Sequence, residues 1–253
     1  SKEMLISNIV SYVLMILLVR FVFKKGFNFS QDGPGNRLVY HLQGCNFKCK
    51  WCTNPESMAF PGENSIKYQI AELVDEAVKC RPMFFEGGGV TLTGGEPTYQ
   101  FESVLCLLKA LKKEKINTAI ETNGSHKHLF KLIPYIDNLI MDFKHFDEDT
   151  HILYTGHSLK QTKENLKVLS EQKIKVLIRT PVINGINADP YGFANYFSEL
   201  DCESFSFELL PYHEFGKAKW REKYEIQNGF ITKETLDKFK EVYANCGLNV
   251  INT

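Results

Sequence analysis

The chain has no excess of charge of either sign: thirty Lys and Arg stand against thirty Asp and Glu, a formal net charge of zero. That excludes the electrostatic footprint of a nucleic-acid binder, and a protein partner would have to be held by shape. It also lacks an apolar run of membrane-spanning length. Tyr12 to Val19 is unbroken, but Arg20, Lys24 and Lys25 follow, and a bilayer core needs roughly 20 apolar residues. A disulfide framework is missing too: the seven cysteines are odd in number, and Cys80, Cys106, Cys202 and Cys246 are scattered without regular spacing. These four are expected to be packed side chains in a reducing cytoplasm. A cleaved secretory signal is disfavoured for the same reason.

What is present is concentrated in Gly44 to Glu56, G-C-N-F-K-C-K-W-C-T-N-P-E, where Cys45, Cys49 and Cys52 fall within eight consecutive residues. A CxxxCxxC run on a tight loop can offer three thiolates to one centre, and soft sulfur ligands select iron-sulfur or zinc over hard cations. A structural zinc wants a fourth, closing ligand. None stands nearby at clean spacing; His41 precedes the run and alternates with Val39 as in a strand. A cluster held by three cysteines leaves one iron open to a substrate or cofactor.

This triad, with Trp51 before its last cysteine, resembles the radical S-adenosylmethionine (SAM) superfamily. D-G-P-G-N-R at Asp32 to Arg37, T-G-G-E-P at Thr93 to Pro97, E-T-N-G at Glu121 to Gly124 and L-L-P-Y-H-E-F-G-K-A-K-W at Leu209 to Trp220 narrow it. From about Phe29 to the C-terminus the chain is similar to glycyl radical enzyme activating enzymes. No second cysteine-rich block follows Glu56, so the ferredoxin-like insert of many such activases is missing, which favours the pyruvate formate-lyase branch.

With 253 residues, 43% of them hydrophobic, the chain is long enough for one large α/β barrel or two small domains, and one is expected. The division expected is an atypical apolar extension over residues 1–28 and a core domain over 29–253. Leu5 to Phe23 is the anomaly, because the family passes almost at once from a short strand to the D-G-P-G turn. An added buried helix or strand, an exposed or membrane-surface segment over residues 11–23, and a gene-boundary oddity are the competing readings. Leu38 to Leu42 reads as a short strand delivering the cysteine loop. Ser65 can cap a helix with apolar face Ile66, Ile70, Leu73, Val74, Ala77 and Val78. Val90 to Thr93, Asn117 to Glu121, Asn138 to Phe143, Lys175 to Thr180 and Ser204 to Leu210 read as strands. Phe101 to Lys112, Lys160 to Glu171 and Thr232 to Asn245 read as helices, and Leu248 to Ile251 as an edge strand. Strands and helices in alternation imply a parallel sheet, and the resemblance implies a partial (β/α) barrel of six strands. Glu96, Glu121, Asp142, Lys144, Arg179 and His213 cluster at strand ends, where such folds place their sites.

Two glycines, Gly94 and Gly95, let backbone approach a ligand, and Glu96 can accept hydrogen bonds from an ammonium. The resemblance implies that this segment holds the SAM amino group. It likewise implies a SAM carboxylate near Lys144, contacts from Trp51, Arg179 and His213, and a monovalent cation beside Glu121, Thr122 and Asp142. Glu121 stands where Asp also occurs in relatives, and its longer arm would reposition or weaken that cation site. Asn187 lies in the same strand-and-loop segment as Arg179, and Asn184 replaces a frequent Pro there. Asp32 and Gly33 are implied to receive the partner's glycyl peptide. The implied chemistry is a 4Fe-4S cluster on Cys45, Cys49 and Cys52 and a 5′-deoxyadenosyl radical that takes hydrogen from a glycine Cα of pyruvate formate-lyase. A flavodoxin or ferredoxin would supply the electron. An activase of another glycyl radical enzyme, a different radical SAM modification enzyme and a non-enzymatic zinc clip are the rival readings.

Overall fold

The computed structural model describes residues 19–251. Most of the apolar stretch Leu5 to Phe23 therefore lies outside the described residues. Its end, from Val19, opens an 11-residue strand, β1 (Val19–Phe29). The described chain forms two compact units: the first holds 19–45, Ser57–Ile120 and Phe130–Asp137, the second Asn46–Glu56, Glu121–Leu129 and 138–251.

In the first unit the strand order is β3 (Ile66–Gln69), β1, β2 (Asn36–Leu42), β4 (Gly89–Gly94), β5 (Thr118–Thr122). β1 pairs antiparallel with both β3 and β2, whereas β2–β4 and β4–β5 are parallel. Five of the seven β2 residues in a row are buried, as parallel strands covered on both faces require. Two helices pack together in this unit, and the Tyr40 hydroxyl of β2 donates to Leu73 O of the first (2.8 Å). α1 (Ile70–Lys79) buries Ile70, Leu73, Val74 and Ala77, and α2 (Phe101–Lys113) buries Val104, Leu107, Leu108 and Leu111, each set at helical spacing.

The expectation for Ser65 is corrected here. The Ser65 hydroxyl donates to Gly62 O (2.8 Å), and Ile66, 58% exposed, begins β3 by pairing with Val22. The helix starts four residues later, where Gln69 and Glu72 form a capping box; the Gln69 N–H donates to Glu72 Oε2 at 2.6 Å. Pairing with β1 overrides a helical pattern that runs one turn too far.

In the second unit β6 (Asn138–Asp142), β7 (Val176–Val182) and β8 (Phe205–Pro211) are parallel. Three parallel strands in each unit give the six expected; β1 and β3 are additional. α3 (Glu148–Thr155), α4 (Lys160–Glu171), α5 (Pro190–Ser198) and α6 (Lys233–Asn245) also belong to this unit. Aromatic rings fill its core: Phe143 stacks on Tyr196 (4.9 Å), Phe197 meets Phe207 edge-on (4.7 Å) and Phe207 meets Tyr243 (5.5 Å). The expected edge strand at the end of the chain is a single bridge, Val250 to Phe207. Of the four scattered cysteines, Cys80, Cys106 and Cys202 are half-buried and Cys246 is exposed, so packing does not account for the last. Among the described residues no helix is long and apolar enough to cross a membrane.

Candidate active site

In the first unit β2 ends at Leu42 and hands the chain to Gln43, Gly44 and Cys45. Gly44 takes φ +96°, a left-handed value open to glycine. Its N–H donates to Ser57 O (2.7 Å), and the Cys45 N–H donates to Met58 O (3.3 Å). β4 ends at Gly94, and the turn Gly94-Gly95-Glu96-Pro97 folds onto the same stretch. The Gly95 N–H donates to Leu42 O (2.9 Å) and the Glu96 N–H to Gly44 O (2.8 Å). A Cβ on Gly94 would stand 2.3 Å from Leu42 N, and one on Gly95 2.3 Å from Gly44 O. Both glycines are therefore required by the chain's own backbone, whatever ligand approaches them. Glu96 is 2% exposed, and its Oε1 accepts from the Thr98 N–H (3.0 Å) and hydroxyl (2.6 Å).

The Asp32-Gly33-Pro34-Gly35 turn is held from inside by Arg37, which is fully buried. The Arg37 Nε donates to Thr91 Oγ1 (2.6 Å), Nη1 to Pro34 O (3.1 Å) and Nη2 to Val90 O (2.9 Å) and Asn117 Oδ1 (3.0 Å). The Thr91 hydroxyl donates in turn to Asp32 O at 2.7 Å. The half-buried Asp32 carboxylate accepts from Asn28 Nδ2 (2.5 Å), and Gly33 takes φ +110°.

In the second unit the cysteine loop is pinned along its length. Lys48 N–H donates to Thr155 O (2.7 Å) and Lys50 N–H to Tyr154 O (3.0 Å), both at the end of α3. Cys52 N–H closes a turn on Cys49 O (3.0 Å). The segment after β8 covers the loop from above: the Trp220 indole N–H donates to Cys52 O (3.1 Å), and a Cβ on Gly216 would stand 2.5 Å from Thr53 Cα. Trp51 packs on the apolar group Ile183, Tyr212 and Ile226. His213, two residues beyond β8, stacks on Phe215 (4.3 Å), and burial lowers its pKa, which favours the neutral ring.

Charge in this unit is arranged in pairs. Burial pushes the Cys49 thiol up to about 12 against the pull of the nearby Lys144 ammonium, and burial raises Cys52 as well. Burial alone would depress Lys144, yet Asp142, at 2.8 Å, holds it above its ordinary value. Arg179 is likewise held up against burial by Glu121 and Glu208, each at 2.5 Å. It stands in mid-strand, in register with Asp142 of β6 and Glu208 of β8, and not at a strand end as expected. The two acids expected to hold a cation, Glu121 and Asp142, are thus each engaged with a basic side chain, while Thr122 Oγ1 accepts from the Gly124 N–H (3.1 Å). Asn187 is structural: its amide bridges Lys144 O (2.9 Å) and Pro181 O (2.7 Å).

The donor set fits a thiolate-bound metal group. Burial keeps the two thiols protonated, and a cationic centre makes them ligands by displacing those protons. Among the described residues no three His, Cys, Asp or Glu side chains converge as ligands of one ion must. Cysteines bound to separate irons of a cluster need no such convergence.

Asn46, Asn123 and Trp220 stand inside the sequence motifs, but residue type and spacing give no sign of the partners they bond. Glu208 went unremarked as well. Its signal was an acid in the apolar strand F-S-F-E-L-L, which has to find a cation when buried.

Comparison with known proteins gives the chain its relatives. The profile of the radical SAM superfamily matches residues 39–195. A pyruvate formate-lyase-activating enzyme from Staphylococcus epidermidis is 32% identical over 233 residues, covering 86% of this chain and 91% of that one. Among solved structures, a domain of a pyruvate-formate lyase-activating enzyme from Bacteroides vulgatus superposes with a TM-score of 0.56 at 24% identity, covering 65% of this chain and 98% of that one. A radical SAM methyltransferase from Sphaerobacter thermophilus gives 0.65 at 14% identity over 89% of this chain and 67% of that one. These two structures speak for the fold alone.

Proposed function

Because the chain belongs to the radical SAM superfamily and, within it, to the glycyl radical enzyme activating enzymes, we propose that it activates a partner enzyme, pyruvate formate-lyase, by creating a glycyl radical. A 4Fe-4S cluster and SAM, when bound, supply a 5′-deoxyadenosyl radical that takes a hydrogen from a glycine Cα. Cys45, Cys49 and Cys52 hold the cluster. The observation that carries this reading is the cysteine loop itself: the buried Cys49 thiol and the half-buried Cys52 thiol beside an ammonium that Asp142 keeps charged, on a backbone pinned along its length.

The remaining residues bind and orient. Lys144 lies by the SAM carboxylate, Glu96 with Gly94 and Gly95 borders its amino group, and Trp51, His213 and Arg179, held by Glu121 and Glu208, border the rest of the molecule. A monovalent cation beside Glu121, Thr122 and Asp142 belongs to this reading if it shares those carboxylates with Arg179 and Lys144. Asp32 and Gly33 receive the partner's glycine loop on a turn that Arg37 keeps rigid. With no net charge to steer it, the partner docks by shape. A flavodoxin or ferredoxin serves as electron donor.

Anaerobic reconstitution with iron and sulfide, followed by SAM and reductant, tests the assignment. The wild-type chain should take up iron and form 5′-deoxyadenosine, and Cys49→Ala should lose both. A Cys49→Ala protein that keeps both would overturn the ligand set. A colourless, zinc-loaded wild type would favour the zinc clip instead.

A further inference from the structure

Asn46 follows the first cysteine directly and has no part in the chemistry described above. Its side chain nevertheless enters a closed ring of hydrogen bonds within the second unit. Asn46 Nδ2 donates to Ser125 Oγ (2.7 Å), Ser125 Oγ donates to Asn123 Oδ1 (2.7 Å), and Asn123 Nδ2 donates to Asn46 Oδ1 (2.9 Å). Every direction in the ring is determined. The Ser125 backbone N–H also points at Asn123 Oδ1 (3.0 Å), and a backbone N–H can only donate, so that atom is the oxygen. Asn123 must then turn its NH2 to Asn46, which fixes the Asn46 oxygen and leaves the Asn46 NH2 facing Ser125 and His157.

His157 completes the pattern. Its Nδ1 lies 2.9 Å from Ser158 O, an acceptor only, so in the neutral ring Nδ1 carries the proton and Nε2 faces Asn46 Nδ2, at 3.4 Å, as an acceptor. Asn123 and Ser125 are 5% and 9% exposed, so breaking the ring strands polar groups in the interior. The loop that carries them is fastened in turn to α4, where Thr162 Oγ1 donates to Asn123 O (3.2 Å) and Asn165 Nδ2 to Gly124 O (2.7 Å). That same loop follows Glu121, the carboxylate that holds Arg179.

We infer that Asn46 is a positioning residue: through its ring with Asn123 and Ser125 it fixes the segment bearing Cys49 and Cys52 against the Glu121–Arg179 end of β5, and so fixes where SAM lies relative to the cluster. The inference rests on the proposed function for what occupies the site, and on hydrogen bonding alone for the ring. The ring is single-valued in a way that a merely space-filling asparagine is not. A leucine of similar size would fill the volume and satisfy none of the three partners.

The test is Asn46→Ala in the full chain, with four readouts: iron per chain, the electron paramagnetic resonance signal of the reduced cluster with and without SAM, the separate KM and kcat for SAM cleavage, and the 15N shifts of His157. Iron content should stay close to wild type. KM for SAM should rise about tenfold while kcat changes less than about threefold, the size of effect that losing two partially buried hydrogen bonds gives. The SAM-induced change in the cluster signal should broaden. In wild type His157 should show the Nδ1–H tautomer, and Asn46→Ala should move its Nε2 resonance. If Asn46→Ala folds poorly, Ser125→Ala removes one ring member and leaves the Asn46–Asn123 bond, and it should show the same KM effect at smaller size. A wild-type KM and cluster signal in a folded variant would overturn the positioning role. A wild type that binds neither cluster nor SAM would overturn the proposed function and this role with it, while the His157 tautomer would still report whether the ring exists.

Discussion

Gly95 offers a test in which ligand and backbone make opposite predictions. If glycine is needed there only so that a ligand can approach, Gly95→Ala leaves the cofactor-free protein as stable as wild type. The structure says otherwise, because the added Cβ would lie 2.3 Å from Gly44 O and 2.9 Å from Gly44 C. The turn would have to retreat by about 1 Å to reach ordinary contact. That retreat stretches two hydrogen bonds, Gly95 N to Leu42 O (2.9 Å) and Glu96 N to Gly44 O (2.8 Å). Each bond contributes about 0.5–1.5 kcal/mol, and overpacking adds about 1–3 kcal/mol, so the expected loss is about 2–6 kcal/mol. Against a domain stability of about 5–15 kcal/mol, that is a large fraction. Urea unfolding of the reduced, cofactor-free protein measures it. Gly26→Ala is the control: nothing lies within 4 Å of the new Cβ, and the residue sits in β1. It should change stability by no more than about 1 kcal/mol. Stability of Gly95→Ala within about 0.5 kcal/mol of wild type would refute the close approach of the two backbones.

Two further outcomes follow from the charge pairs. Arg179→Met removes the partner that Glu121 and Glu208 share, and breaking such a buried group costs about 3–5 kcal/mol, read as a lower urea midpoint; an unchanged midpoint would mean the pairs do not form. Burial opposes ionisation of Asp137, but Lys112 and the Thr118 N–H (2.9 Å) hold its pKa below the usual carboxylate value. Its contribution is therefore present above the unfolded value of about 3.9 and is lost as pH falls through the lower folded value. Asp137→Asn should cost about 1 kcal/mol at neutral pH, discounted for partial exposure, and the gap to wild type should close in acid. A gap that is independent of pH would contradict the pairing.

The elements that sequence resolved well were those with strong local signals. α2 and α6 each carry a clear apolar face, α4 buries Leu166 and Leu169 among polar side chains, and α6 opens on Thr232, whose hydroxyl accepts from the Thr235 N–H (3.2 Å). α3 went unseen because it buries only His151 and Thr155, too few for a periodic stripe. β3 was read as helix because Ile66 continues the α1 stripe by one turn; only its partner β1 makes it a strand. At the site, the motifs located the right loops but not the reasons for their composition. Gly94 and Gly95 read in sequence as space for a ligand, and the structure adds that the Leu42 and Gly44 backbone needs the same space. Glu121 reads in sequence only as a cation ligand, and the structure adds that it pairs with Arg179. Such pairings join residues 58 apart in sequence, and nothing local announces them.

The central claim is that the chain places a radical on a glycine of another protein, and one measurement addresses it directly. The reconstituted chain is mixed anaerobically with SAM, reductant and pyruvate formate-lyase, and the sample is read by electron paramagnetic resonance. A glycyl radical doublet that requires the chain, SAM and reductant together is the predicted result. Formation of 5′-deoxyadenosine with no doublet would contradict the choice of pyruvate formate-lyase as partner, and absence of both would contradict the activase reading itself.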